Sequence, residues 1–346
     1  MELSERKKQI LHALIETYIQ TAEPVGSKAI LENYQMSFSS ATIRNEMAEL
    51  TELGYLEQPH TSAGRVPTDL GYRTYVTSLM GRYSLSKREK SRIDEGLSMR
   101  ITELEQALAN ANRIISELTA YTSLALTPHF NTNYIKRLEM LYIDRHTFLL
   151  VVMTSNGLIK NRVCRLNVEI DPDTLGRIAA ILQRRLTGVP LDLITLRRIS
   201  RLEDELMEFR FFLQPILRFV EQTLSEIDQT EVFTEGVGNI LDFPEYRDVS
   251  RAKEFFNFLG DKQEIKNMLA PTADTGIRII IGDENPVLSV LQSSLIIGNY
   301  RVGEKVVGAI GIIGPTRMDY SKVVGKLDYF TKTLSKLLSE TFYDDE

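Results

Sequence analysis

Ser40, Thr42, Arg44 and Asn45 fall within six residues of one another, in the run SSATIRNEMAEL (39–50). At about 100° per residue the run reads as a helix, with Ile43, Met47 and Leu50 on one side. Asn45 points the opposite way, Ala41 and Ala48 lie beside it, and Thr42 and Arg44 flank that outward face. This suits base reading in a major groove. Small residues let the backbone approach, arginine bonds guanine O6 and N7, and asparagine bonds adenine N6 and N7. Ser39 or Ser40, with the free N–H groups of a helix start, can hold a phosphate. Taken alone, an exposed helix with ordinary polar residues fits equally well, so the neighbouring elements decide.

Residues 4–20 carry a helical pattern, with Ile10, Leu14 and Tyr18 on one face and a start near Ser4. Glu23-Pro24-Val25-Gly26 ends it, and Ser27 is expected to cap a short helix from Lys28 to about Asn33. The third helix runs from about Ala41 to Leu53 and closes at Gly54, a glycine in the position of a left-handed cap. GYLEQPHTSAGRVPT (54–68) then reads as a small hairpin, Tyr55-Leu56 going out, His60 to Gly64 at the tip and Arg65-Val66 returning. Three helices and a hairpin make a winged helix-turn-helix. A tip with small polar residues and one arginine reaches a phosphate or a narrow minor groove. The candidate DNA-binding set is therefore Ser40, Thr42, Arg44, Asn45, His60 and Arg65.

Charge does not announce this role. The chain of 346 residues has a formal charge of −6, from 41 basic and 47 acidic residues. Residues 1–80 hold seven Lys/Arg against ten Asp/Glu, and the basic stretch 82–92 (RYSLSKREKSR) brings the total only to +1. A nucleic-acid footprint must then be local. The stretch 82–92 reads either as a phosphate contact or as a solvated linker.

Beyond it, Leu97, Ile101, Leu104, Leu108, Ala111, Ile115 and Leu118 recur at heptad spacing, which predicts one long amphipathic helix. Strands are expected around 138–143, 148–153 and 158–166, the last following the Asn156-Gly157 turn. Residues 171–230 read as helical, opened by Asp171-Pro172-Asp173 and broken at Gly188 and Pro190, with Pro215 expected to kink or split a second helix. Strands return around 277–281 and 306–313, and a helix from about Tyr320 to Phe342 closes the chain. The order argues an α+β multidomain protein: 1–80 winged helix-turn-helix, 81–96 basic linker, 97–170 with 231–346 an α+β domain, and 171–230 an inserted helical segment. The insertion is rich in large apolar residues (Phe209, Phe211, Phe212, Phe219), which predicts that it, the 97–118 helix, or both form a dimer contact.

Other chemistries find no support. With 43% hydrophobic and 25% charged residues the composition is that of a folded protein. Cys164 is the single cysteine, so no intrachain disulfide forms, and a buried structural thiol is expected. His12, His60, His129 and His146 are scattered without metal spacing. There is no phosphate-binding GxxxxGK[ST] loop, and Gly308, Gly311 and Gly314 have the wrong spacing for a dinucleotide fingerprint. They are expected to permit close packing or bulges. Arg317 and Asp319 in GPTRMDY fit capping and surface pairing. No catalytic, cofactor or metal site is assigned, no apolar run approaches a membrane span, and a cytoplasmic protein is expected.

PVGSK (24–28), SSATIRNEMAELTELGYLEQPHTSAGRVPTDLGYRTYV (39–76), IGDEN (281–285) and GPTRMDY (314–320) resemble the HrcA family of heat-inducible transcription repressors. The resemblance spans both ends of the chain, and the HTSAGR-P-TD-GYR stretch is its most specific part. It implies a GAF-like core interrupted by a dimerising insertion, a homodimer on an inverted-repeat (CIRCE) operator in double-stranded DNA, and repression of chaperone operons. It further implies that the GroEL chaperonin keeps the repressor active until heat diverts it. Another winged-helix regulator, sensing a small molecule through its α+β domain, is the alternative reading.

Overall fold

The computed structural model describes residues 3–34, 37–60, 63–97, 104–127, 134–155, 159–191, 194, 209–228, 231–270 and 276–343. The chain divides into two compact units, one of 1–99, 109–126 and 232–343, the other of 100–108, 127–231 and 344–346.

The first unit begins with the winged helix-turn-helix: α1 (Glu5–Thr21), α2 (Ser27–Asn33), α3 (Ser40–Glu52), β1 (Leu56–Glu57), β2 (Val66–Pro67) and α4 (Asp69–Thr74). Ser4 caps α1 as expected, accepting from Lys7 N. Gly54 has φ +81° and ends α3 in the left-handed region. Gly26, not Ser27, stands at the cap position of α2, which leaves the Ser27 hydroxyl for another partner. After α4 the helix widens into a π-turn, Tyr75–Leu79, before the chain leaves the head.

The rest of this unit is a five-stranded antiparallel sheet in the order β7-β3-β10-β9-β8. Its strands are β3 (Thr122–Leu126), β7 (Val232–Glu235), β8 (Ile277–Ile281), β9 (Ser293–Val302) and β10 (Lys305–Pro315). β8 and β10 match the expected strands closely. β3, β7 and β9 lie outside the expected strands; β3 and most of β9 are buried on both faces and so do not alternate. Phe255, Ile265, Leu269, Leu288 and Leu291 pack with Leu124, Leu295 and Ile313 in one buried cluster. Elsewhere the C-terminal helix Tyr320–Tyr343 meets β9 where Gly298 leaves no room for a Cβ, facing Thr331 and Leu327. The expected role of Gly308, Gly311 and Gly314 holds: a Cβ on each would strike Tyr300, Leu269 or Tyr121, and a bulge interrupts β10 between Val306 and Gly308.

The expected basic linker is largely a helix, α5 (Lys87–Leu97), followed by α6 (Leu104–Thr119) in place of one helix over 97–118. Ile101 lies outside the described residues. What makes 81–96 ordered is Glu89. It accepts from Ser86 N (2.9 Å), Ser86 Oγ (2.8 Å) and Tyr83 Oη (3.0 Å), and it pairs with Lys326 Nζ (3.3 Å).

The second unit is an antiparallel meander of β4 (Ile135–Asp144), β5 (Thr147–Thr154) and β6 (Ile159–Arg165), with helices α7 (Pro172–Leu186) and α8 (Arg210–Asp228). Asp171 caps α7, accepting from Thr174 N at 2.9 Å. Leu175, Ile178 and Leu182 of α7 and Ile216, Leu217 and Val220 of α8 share one core with Leu138, Phe148, Leu150 and Cys164. α8 continues through Pro215 without splitting. The unit therefore starts before 171: three strands assigned to the α+β domain by sequence supply the floor on which the inserted helices fold. Cys164 is buried, which pushes its thiol up to about 11. The Asn156-Gly157 turn and His129 lie outside the described residues.

Burial pushes the Glu89 carboxyl up, but its hydrogen bonds to Ser86 and Tyr83 and the Lys326 ammonium outweigh this and hold it at about 2. A carboxylate with a depressed folded pKa stabilises the protein above its unfolded value and loses that contribution as pH falls through the folded one. Glu89→Gln should therefore melt at a lower temperature than wild type at pH 7. Circular dichroism melts should show the gap closing below about pH 4.5 and vanishing near pH 2.

Candidate nucleic-acid interface

α3 is fixed in rotation by its buried side. Ile43, Met47 and Leu50 are buried as expected, and so is Glu46. Its carboxylate meets Arg6 Nε at 2.5 Å and Lys7 Nζ at 2.9 Å, both on α1, while Lys7 also reaches Glu49 at 2.7 Å. Burial opposes ionisation of Glu46, yet these two cations prevail and hold its carboxyl below the usual range. With that side occupied, Ala41, Arg44 and Asn45 are exposed. Arg44 and Asn45 make no hydrogen bond or ion pair among the described residues.

The start of α3 is tied down. Ser39 is the cap, accepting from Thr42 N (3.1 Å) with its hydroxyl 2.9 Å from Thr42 Oγ1. Ser40 Oγ lies 3.0 Å from Ser27 Oγ, joining α3 to α2. Of the two serines offered for phosphate contact, Ser39 is the exposed one and Ser40 is half-buried.

The wing departs from expectation at Arg65. Its main chain pairs with Val25 in both directions at 2.9 Å, adding a third short segment to the β1–β2 hairpin. Its Nε donates to Thr51 Oγ1 of α3 at 3.0 Å. Arg65 thus braces the wing against the helix, a non-local arrangement that no local spacing reveals. His60 is exposed at the near side of the tip; Thr61 and Ser62 lie outside the described residues. Ser40, Thr42, Arg44 and Asn45 are brought together on one element, and His60 and Arg65 stand apart from them on the wing.

The head's net negative charge is misleading for the same structural reason. Arg6 and Lys7 are engaged by Glu46, Lys8 by Glu5, and Arg73 by Glu284. Among the described residues, only Lys28 and Arg44 of the head's seven basic side chains have no partner within the protein. Lys28 is exposed and directly follows Ser27, the residue joined to α3. Sequence reasoning counted Lys28 but did not single it out.

Contacts with the sheet domain set the head's position. Arg73 Nε donates to Glu284 at 2.6 Å and Arg73 Nη2 to the Ile279 carbonyl at 2.7 Å. Asp69 accepts from Asp283 N at 2.7 Å. Arg317 pairs with Glu245, lies 5.6 Å from the Phe243 ring centre and donates to the Ile19 carbonyl of α1 at 3.0 Å. Asp319 caps the C-terminal helix, accepting from Lys322 N, so this motif does pair and cap as expected.

Two glycines of the head, Gly64 on the wing and Gly71 on α4, have a steric role. A Cβ on Gly64 would lie 2.5 Å from the Val25 carbonyl carbon and oxygen, and one on Gly71 would lie 2.3 Å from the Tyr55 oxygen. Gly64→Ala and Gly71→Ala should each destabilise the protein by about 1–3 kcal/mol, as overpacking does. Urea unfolding should show the loss, and Gly26→Ala, where a Cβ meets nothing, should show little.

Residues 2–79 match the family described as "Winged helix-turn-helix transcription repressor, HrcA DNA-binding", and residues 105–324 match "HrcA protein C terminal domain". The chain is 39% identical over 339 residues to the heat-inducible transcription repressor HrcA of Ruminiclostridium cellulolyticum, covering 97% of each chain. It is 40% identical over 342 residues to that of Clostridium tetani, covering 98% of this chain and 97% of the relative. A solved structure titled "Crystal structure of a hypothetical protein at 2.2 A resolution" shares the fold, with TM-score 0.69 and 23% identity, over 98% of this chain and all of that one. Head, sheet domain and inserted unit are thus matched along nearly the whole length, and the chain belongs to the HrcA family.

Proposed function

We propose that the chain is a heat-inducible transcription repressor that seats α3 in the major groove of an operator. The observation that carries this is the pairing pattern of the head. Scaffold contacts consume its other basic side chains among the described residues, leaving Lys28 at the start of α2 and Arg44 on α3 beside an exposed Asn45. Arg44, Asn45 and Thr42 read bases; Ser39, Ser40 and Lys28 meet phosphate; His60 touches the backbone from the wing. Arg65 serves by holding the wing to Thr51 and acts on DNA through that position. The role is regulatory and not enzymatic, and it is exercised in the cytoplasm. Among the described residues no helix is long and apolar enough to cross a membrane.

Family membership supports an inverted-repeat operator of the CIRCE type upstream of chaperone genes, with control by the GroEL chaperonin. An inverted repeat calls for a two-fold homodimer. The apolar faces of α7 and α8, expected to form the dimer contact, are spent on their own sheet. The opposite face of that sheet supports dimerisation better. Leu141, Leu149 and Val163 stand in register across β4, β5 and β6, with Met153 beside Ile159. Leu141, Val163 and Ile159 are 49%, 61% and 54% exposed. A second copy of the chain covers this face.

In binding titrations against an inverted-repeat duplex and a scrambled one, Arg44→Ala and Asn45→Ala should each lose about 1–3 kcal/mol of operator preference. Lys28→Ala should weaken both duplexes alike and lower the salt slope by about one. Unchanged operator preference in Arg44→Ala would refute the assignment of the helix face. Sedimentation of Val163→Glu should show a folded monomer; a persisting dimer would move the interface elsewhere. Refolding with and without GroEL should show a higher yield of operator-binding protein in its presence.

A further inference from the structure

Three motifs far apart in sequence, PTDLGYR (67–73), IGDEN (281–285) and GPTRMDY (314–320), converge within the first unit around one cavity of about 500 Å3. It is lined by the head on one side, with Glu57, Asp69 and Tyr72, and by the sheet domain on the other, with Asp283, Glu245 and Arg317. Its volume is in the range of small-molecule sites.

The charges in it do not balance. Glu245 and Arg317 neutralise each other. Glu57 has no side-chain partner among the described residues. Among the described residues Asp69 accepts one hydrogen bond, from Asp283 N on Oδ2, and its other oxygen has no donor. Asp283 accepts from Ser289 Oγ. Three carboxylates therefore share the cavity with no cation of their own. Gly282, at φ +39°, makes the approach possible, since a Cβ there would overlap the Asp69 carboxylate. Burial, with the nearby Asp283 and Glu284 charges, raises Asp69 against the main-chain hydrogen bond that lowers it.

A second and independent feature lies at the same place. Tyr72 is 2% exposed, and among the described residues its hydroxyl has no hydrogen-bond partner. A buried hydroxyl without a partner is costly unless something else satisfies it.

We infer that this cavity binds a small organic cation, a primary amine or diamine, whose ammonium groups sit among Glu57, Asp69 and Asp283 with Tyr72 beside them. Tyr18 also lines the cavity. A metal ion is a poorer match: among the described residues no group of three or more His, Cys, Asp or Glu is arranged to hold one. Because the ligand touches both sides of the joint, it favours the arrangement in which head and sheet domain meet, and so couples amine concentration to the placement of α3.

The test is calorimetric titration of the full chain with 1,4-diaminobutane, without DNA, at an ionic strength held constant with KCl. Saturable binding is expected. Asp69→Asn, which keeps an acceptor for Asp283 N, should weaken it at least tenfold. Glu57→Gln changes an exposed side chain with no partner, tests the same point without risk to folding, and should weaken it similarly. Glu52→Gln, on the exposed part of α3 and outside the cavity, should leave it unchanged. Absence of saturation at millimolar amine, or wild-type affinity in both Asp69→Asn and Glu57→Gln, would overturn the proposal. So would magnesium chloride competing as an equal ligand. No operator is present in the experiment, so a negative result leaves the reading of α3 intact.

Discussion

The head is organised around a carboxylate that has been taken out of water. Glu46 is buried on α3 and is kept ionised by Arg6 and Lys7 of α1. A buried charge demands its partners in fixed geometry, since removing one leaves the other uncompensated. That demand sets the rotation of α3, and with it which residues face outward. It also engages two cations in ion pairs, which is why the unpaired positive charge of the head narrows to Lys28 and Arg44 among the described residues.

A different kind of attachment joins the head to the sheet domain. The contacts of Arg73, Asp69 and Arg317 are polar and directional, and two of them end on main-chain carbonyls. Apolar surfaces slide with little penalty, whereas charge-assisted hydrogen bonds specify one orientation. The segment between head and sheet domain is ordered in the same way, by the Glu89 carboxylate. Three of the motifs that carry the family resemblance, PTDLGYR, IGDEN and GPTRMDY, thus meet at this joint.

Much of the head was legible in the sequence because its logic is local. The 3.6 periodicity of Ile43, Met47 and Leu50 gives the buried side of α3 directly, and Gly54 gives its end. Glu46 was not legible, because the cations that permit its burial lie some forty residues away on another helix. Arg65 was assigned to the wing tip for the same reason: its partners, Val25 and Thr51, are supplied by tertiary structure. In the rest of the chain, β9 escaped notice because a strand buried on both faces does not alternate. The inserted unit was recognised by its helices, but its strands resembled those of the neighbouring sheet, and nothing local says which sheet a strand joins.

The division of labour on α3 bears on how such a regulator changes its target. Positions 41, 44 and 45 hold nothing in place, and surface substitutions of that kind typically alter stability by no more than about 0.5 kcal/mol. The determinants of α3's orientation, Glu46 and its partners, lie on the other side of the same helix. On the proposed reading of α3, new target sequences are accessible by single replacements that leave folding untouched, so the head can drift in preference or be recoded by design. The wing is less permissive, because Gly64 and Arg65 are both committed to packing. Diversification among related repressors should accordingly concentrate on one stripe of one helix.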